Sequence, residues 1–282
     1  MIEKAHAKIN LGLNVLDKRS DGYHNLETIM LPLELHDTLD ISLLPFTSSD
    51  DFVTCDEYSL KITKYNLCHK AIDVMRKRYQ FDRKLSIEIH KNIFVQSGLG
   101  GGSADAAATI RGIIKLFKLH VNEEELKEIA IEIGSDVPFS IFDKPAIVTS
   151  KGENVEFFEH SRDDYVLIIK PKAGLSTEEV FRESDKFTLE HCNLEKVLND
   201  FVTDEEVLSN ECINALEIPA FSLLPELKIL KENLDKEGFD FVSMTGAGSA
   251  IFCLTKEKRL AKHIEEKYFK LGYEVELTTF LY

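Results

Sequence analysis

With 282 residues, 44% of them hydrophobic and 29% charged, the chain is long enough for a large core and for two domains, and its composition is that of an ordered globular protein rather than a disordered one. A formal net charge of −15 argues against nucleic acid or an anionic membrane as the main partner, because both reward basic faces. The amino terminus has no apolar h-region, and no apolar run approaches the roughly 20 residues of a spanning helix, so a cytoplasmic protein with no membrane association is expected.

In chain order, alternation of Ile9, Leu11, Leu13 and Val15 with polar or small residues predicts a strand over 8–15. A turn follows at Ser20-Asp21-Gly22, then extended segments over 26–44 and a polar loop over 46–57. Helical spacing returns over 66–79 with Leu67, Ala71, Val74 and Met75 on one face, and 85–89 alternates as a strand. A glycine-rich loop over 93–102 leads into a helix over 103–117, and a second helix runs from an N-cap at Asn122 to a stop at Gly134. Pro138 suits a first helical turn.

The character changes at the polar turn Lys151-Gly152-Glu153-Asn154, where a domain junction is expected. The second half reads as a strand over 166–170, a helix from a capping box of Ser176 and Glu179, and further helices to about 236. A hairpin over 239–254, a helix over 256–271 and a strand over 274–280 complete it. Strands in antiparallel groups rather than steady βαβ alternation predict an α+β protein. The five cysteines are scattered and never form C-x-x-C, so neither a disulfide frame nor a zinc site is expected.

The strongest chemical signal is Gly98-Leu99-Gly100-Gly101-Gly102-Ser103. Four glycines in five residues, between a strand and a helix, let the backbone approach a ligand closely, and the helix start adds partial positive charge. Together these suit an anion such as a phosphate. It is not a P-loop, since no lysine or arginine lies between Lys91 and Arg111. A dinucleotide G-x-G-x-x-G fails as well, at Ser103 when read from Gly98 and at Ile251 when read from Gly246. Three further segments are weak singly. Lys8 in Ala7-Lys8-Ile9-Asn10 reads equally as an edge-strand solubility residue, Asp136 in Gly134-Ser135-Asp136-Val137-Pro138 as a turn cap, and Thr245-Gly246-Ala247-Gly248-Ser249 as a hairpin loop. Kinase chemistry needs this set: a phosphate cradle, a carboxylate to take the hydroxyl proton and a nearby cation.

The conjunction of Ala7–Asn10, Gly98–Ser103 and Thr245–Ser249 resembles the three motifs of the GHMP kinases, over essentially the whole chain. Within that superfamily, Arg19-Ser20-Asp21-Gly22-Tyr23-His24-Asn25-Leu26 is similar to an R-x-D-G-Y-H-x-L signature. It belongs to the branch whose members phosphorylate the 2-hydroxyl of 4-diphosphocytidyl-2-C-methyl-D-erythritol in non-mevalonate isoprenoid precursor synthesis. The resemblance implies a two-domain GHMP kinase fold. Its ATP-binding part, resembling the second domain of ribosomal protein S5, would span 1–152, with the last strand, 274–282, placed so that it could rejoin it. A ferredoxin-like substrate-binding part would span 153–273.

The resemblance further implies ATP with Mg²⁺ as cofactor and a cytidine diphosphate derivative as substrate, in a monomer or homodimer. Lys8 and Asp136 would be the catalytic pair. Asn66, Lys91, Val95, Gln96, Ser97, Gly98, Leu99, Gly100, Gly101, Gly102 and Ser103 would bind ATP, with Ser103 also reaching the Mg²⁺. Asn10, Tyr23, His24, Thr177 and Phe181 would contact the substrate, Tyr23 and Phe181 sandwiching the cytosine, and Thr245, Gly246, Ala247 and Gly248 would hold its diphosphate. The chain departs from the family pattern at Phe94-Val95-Gln96-Ser97, where proline and more glycine are frequent, and at Ala104, where a second serine is frequent. The rival implications are a sister kinase acting on homoserine or mevalonate, and a non-catalytic regulator, which would be expected to lack Lys8 or Asp136.

Overall fold

The computed structural model describes residues 1–57, 60, 62–64, 66–203 and 212–282. The predicted first strand is longer than the alternation that signals it: β1 (Ile2–Lys18) and β2 (His24–Leu43) pair with each other. In β1 the alternating apolar residues Ala5 to Val15 are buried, but so are Lys8, Asn10 and Asn14 on the opposite face. Both faces of this strand are covered, and one of them is polar.

The chain divides into two compact units, neither continuous in sequence. The first comprises Met1–Ala7, Leu35–Ile93 and Gly100–Asp143, and the second comprises Lys8–Glu34, Phe94–Leu99 and Lys144–Tyr282. In the first unit, β3 (Phe52–Cys55) lies inside the segment expected to be a loop. It is a four-residue strand with exposed Phe52, too short for alternation to reveal, and it pairs in parallel with β4 (Leu85–His90). β4 pairs antiparallel with β2 over 38–43. α1 (Leu67–Tyr79) starts at Asn66, whose side chain accepts the Cys68 N–H at 2.8 Å. α2 (Gly101–Phe117) packs on α1, and its buried run from Ala104 to Ala108 keeps that face thin. α3 (Glu123–Ile133) is capped by Asn122, which accepts the Glu125 N–H at 2.9 Å, with three glutamates in its positive first turn. α4 (Val137–Ser140) is a single buried turn with Pro138 near its start. Ala5, Ile41, Ile72, Ile87, Ile110 and Ile129 belong to one core.

In the second unit, β2 pairs over 26–30 with β5 (Ala146–Ser150), which pairs with β6 (Asn154–Phe157). The polar turn expected to separate domains joins these two strands. β7 (Tyr165–Lys170) leads to α5 (Thr177–Ser184), α6 (Leu194–Val202), α7 (Glu217–Leu223) and α8 (Pro225–Leu234). Glutamates occupy the first turn of α5, but the Ser176 side chain makes no capping bond, so the expected box is incomplete. β8 (Phe241–Met244), β9 (Ile251–Thr255), α9 (Lys258–Lys270) and β10 (Glu274–Thr279) finish the chain. The antiparallel sheet runs β10-β7-β9-β8, the strand order of a ferredoxin-like βαββαβ unit. β10 pairs with β7 along its length, and the residues after it return to β2: Phe280 bridges Leu33, and Leu281 N–H bonds Pro32 O. Among the described residues no helix is long and apolar enough to cross a membrane.

Asp143, at the end of the first unit, has a left-handed backbone (φ 49°) and a buried, unpartnered Oδ1. Burial outweighs the Arg111 guanidinium, 3.4 Å away, and pushes its pKa up to about 6 from 3.8. The folded state therefore binds this proton more tightly than the unfolded chain, and stability falls as pH rises from about 4 through about 6. Asn adopts the same backbone and carries no charge. Asp143→Asn should match wild type in urea unfolding at pH 4 and exceed it at pH 8 by on the order of 2 kcal/mol.

Candidate active site

In the second unit, β1 places Lys8 and Asn10 two residues apart, on one face of the strand. Lys8, 4% exposed, donates from Nζ to Asn10 Oδ1 at 2.7 Å and to Gly98 O at 2.9 Å, while its own N–H bonds Leu99 O at 2.9 Å. Asn10 donates from Nδ2 to Thr28 Oγ1 at 2.9 Å, and Thr28 donates onward to Gly12 O at 2.7 Å. The ammonium is thus held by oxygens that are themselves held.

The loop entry Phe94–Leu99 is fastened to the β8–β9 connection. Gln96 O accepts the Ser249 N–H at 3.3 Å and the Leu175 N–H at 3.4 Å, and Ser97 O accepts the Ala250 N–H at 3.1 Å. The Ser97 hydroxyl donates to Phe94 O and accepts from Leu99 N–H, turning the chain on itself. Val95 is half-buried, Gln96 exposed and Leu99 buried. Gly98 has φ 79°, and a Cβ there would stand 2.0 Å from Thr245 O, so both conformation and space require glycine. Thr245, Gly246, Ala247 and Gly248, expected to hold a diphosphate, form the wall against which this loop and Lys8 are built. A Cβ on Gly246 would lie 3.3 Å from Lys8 Nζ and 3.0 Å from Gly98 O.

In the first unit, Gly100 (φ 75°) caps α2, and Gly101, Gly102 and Ser103 form its first turn; Ser103 and Ala104 N–H both point to Gly100 O at 3.0 Å. The positive end of a 17-residue helix thus lies behind the glycines. Lys91, expected to bind ATP, carries two carboxylate contacts. Its Nζ bonds Asp105 Oδ2 at 2.9 Å and also Asp37 Oδ2, and a Cβ on Gly101 would lie 3.2 Å from it. Burial would lower the Lys91 pKa, but Asp105 and Asp37 outweigh it and hold the ammonium above its usual range. Asp105 is pushed up to about 7 by burial, against the pull of Lys91, and its Oδ1 is buried without a partner. Asp37 Oδ1 accepts the N–H groups of Asn92 and Ile93, at 2.7 and 2.8 Å. Lys91 is therefore a strut under the start of α2. Asn66 spends its side chain on the α1 cap. Asp136 is half-buried at the start of α4, its carbonyl taking the Ser140 N–H and hydroxyl, both at 3.1 Å.

The aromatic residues expected to contact substrate are all in the second unit. Phe181 stacks on His24, with centroids 5.6 Å apart and planes at 20°. Tyr23 follows the Asp21-Gly22 turn, is 57% exposed, and has Lys151 Nζ 5.5 Å from its ring centroid. Thr177 is exposed at the first position of α5. His24 Nε2 lies 2.9 Å from Asp185 Oδ1, and Asp185 Oδ2 takes Lys18. The Lys18 ammonium, with help from His24, holds the Asp185 carboxyl below the usual range. His24 and Asp185 line a cavity of about 420 Å³ with Lys18, Phe187 and His191. Asp37 and Asp185, which organise these groups, belong to none of the motifs read from the sequence.

Gly98→Ala should force the 96–98 loop away from Thr245, because the overlapping atom is a backbone carbonyl that cannot rotate aside. We expect a lower melting temperature and at least a tenfold loss in kcat/KM for ATP, since small displacements of a reacting group cost up to about 10² in rate. Steady-state kinetics together with calorimetry would check both.

Comparison with known proteins places this geometry. The profile of the GHMP kinases N terminal domain matches residues 66–147, and that of the GHMP kinases C terminal domain matches 198–274. The chain is 35% identical over 270 residues to the 4-diphosphocytidyl-2-C-methyl-D-erythritol kinase of Bacillus pumilus, covering 94% of this chain and 91% of that protein. The enzyme of that name from Bacillus velezensis is 35% identical over 272 residues, with the same coverage. A crystal structure of 4-(cytidine 5'-diphospho)-2C-methyl-D-erythritol kinase superposes with a TM-score of 0.81 at 28% identity, over 99% of both chains. The fold is the two-domain GHMP kinase fold, and the protein is an ATP-dependent small-molecule kinase. The chain belongs to the GHMP kinases, in the family of the 4-diphosphocytidyl-2-C-methyl-D-erythritol kinases.

Proposed function

We propose that this kinase transfers the γ-phosphoryl group of ATP to the 2-hydroxyl of 4-diphosphocytidyl-2-C-methyl-D-erythritol, in the cytoplasm, as a step of non-mevalonate isoprenoid precursor synthesis. The observation that carries the choice of substrate is the Phe181–His24 ring pair directly after the Asp21-Gly22-Tyr23 turn. Flat rings at a half-buried site suit a flat base, whereas homoserine and mevalonate have none to stack.

The hydroxyl oxygen attacks the γ-phosphorus, the bond to the β-phosphate oxygen breaks, and ADP leaves. Asp136 accepts the hydroxyl proton, and the Lys8 ammonium stabilises negative charge as it develops on that oxygen. Because Asn10 and Gly98 O fix the ammonium, little reorganisation is needed when the charge appears. The α2 first turn supplies the backbone N–H groups of Gly101 and Gly102 and helix-end charge for the triphosphate. Asn10, Tyr23, His24, Thr177 and Phe181 hold the alcohol substrate. Among the described residues no group of three or more acidic, histidine or cysteine side chains forms a metal cage. A Mg²⁺ bound with ATP would take its ligands from phosphate oxygens and water, with the Ser103 hydroxyl as the protein ligand. When bound, the ion neutralises charge on the phosphate oxygens.

Asp136→Asn should fold with an unchanged melting temperature and lose about 10²–10⁴-fold in kcat, the usual worth of a general base. Retention of kcat within about fivefold would remove Asp136 from the mechanism.

Phe181→Ala should raise KM for the cytidine substrate about 5- to 150-fold, the equivalent of one stacking contact, with KM for ATP unchanged. A parallel rise in both KM values, or turnover of mevalonate or homoserine at comparable kcat/KM, would favour a sister kinase.

A further inference from the structure

Asn214 stands just before α7, where the backbone runs parallel to β1. Leu13 N–H bonds Ile213 O at 3.0 Å, and Ala215 N–H bonds Leu13 O at 2.9 Å. The side chain is 3% exposed and its bonding capacity is used. Nδ2 donates to Met244 O at 2.8 Å and to Gly246 O at 2.9 Å, and Oδ1 accepts the Leu216 N–H at 3.0 Å. The two gripped carbonyls flank a single residue, Thr245. Glu217 steadies the same stretch, accepting the Met244 N–H at 2.9 Å and the Ser243 hydroxyl at 3.2 Å.

Thr245 Oγ1 accepts the Asn10 N–H at 3.1 Å and lies 3.3 Å from Gly98 O and 3.4 Å from Asn10 Oδ1. Those are the two oxygens that hold Lys8 Nζ. One hydroxyl thus touches both oxygens of the Lys8 cradle, and one amide clamps the backbone on both sides of that hydroxyl. Any of these bonds alone would be ordinary packing. Their convergence on a single ammonium is what calls for a reason.

We propose that Asn214 is a positioning residue for phosphoryl transfer: it fixes the turn at 244–246 so that Thr245 holds Asn10 and Gly98, and these set the Lys8 ammonium. The inference rests on the catalytic role proposed for Lys8. An amide is needed because both groups it grips are acceptors. Aspartate would present oxygen to oxygen, and alanine would take a donor from two buried carbonyls.

The test compares full-length Asn214→Ala, Asn214→Ser, Thr245→Val, Lys8→Met and the Asn214→Ala/Lys8→Met double variant, with melting temperatures measured for each. Asn214→Ala should lower kcat about 10- to 100-fold, the cost of displacing a reacting group by an ångström or less. KM for ATP and for the alcohol should stay within about twofold, since an interaction made only in the transition state is lost. Asn214→Ser, which keeps one donor, should recover part of kcat. In the Lys8→Met background, Asn214→Ala should cost less than about twofold more, because residues acting as a unit are not additive.

An equal loss in both backgrounds, or unchanged kcat in Asn214→Ala, would overturn the proposal. So would a rise in KM for the alcohol in Thr245→Val, which would make the turn a substrate-binding element. If Asn214→Ala does not fold, Thr245→Val, nearly isosteric, carries the same test, and wild-type kcat there refutes the proposal. Lys8→Met with wild-type kcat would instead defeat the role of Lys8 itself, whereas an inactive Lys8→Met beside an active Asn214→Ala defeats this inference alone.

Discussion

A buried ammonium cannot be left without acceptors, and much of the second unit follows from satisfying one. Lys8 stands on a strand whose polar face is as buried as its apolar face. An unsatisfied charge there would cost far more than a single contact could return. Asn10 and the Gly98 carbonyl answer that need, and each makes a further demand. The Gly98 carbonyl can reach Lys8 only if residue 98 adopts positive φ and approaches Thr245 closely, which leaves glycine. Asn10 must be oriented, which engages Thr28 and Thr245. Four separated stretches of sequence are tied together by the requirements of one nitrogen.

The first unit solves a similar problem by other means. Lys91 is also buried, but its partners are carboxylates, from β2 and from the first turns of α2. Two acids surround one base, and burial raises the pKa of Asp105 against the pull of Lys91. With two carboxylate partners, the Lys91 side chain braces the start of α2.

Much of this was legible in sequence where the cause is local. Alternation exposed β1, helical spacing exposed α1, and an asparagine cap marked the start of α3, because a cap bonds within its own first turn. The glycines and Lys8 were legible through motif likeness. β3 was not, since four residues in a parallel pair carry too little pattern. Asp37, Asp185 and Asn214 were not either, because the groups they bond lie 54, 161 and 30 residues away, and an isolated Asp or Asn reads as a loop residue. The stacking of His24 on Phe181 was not legible either, because the two rings are distant in the chain and backbone placement brings them together.

The fastening of the 96–98 loop to the β8–β9 connection has a consequence for synthesis. Gln96 and Ser249 are 153 residues apart in the chain. A nascent polypeptide therefore exposes the loop long before its opposing wall has left the ribosome, and contacts of such separation form late. Until residues 245–250 emerge, Gly98 has no wall to pack against and the cradle of Lys8 lacks Thr245. Truncated or stalled chains would then carry every glycine of the loop without its shape.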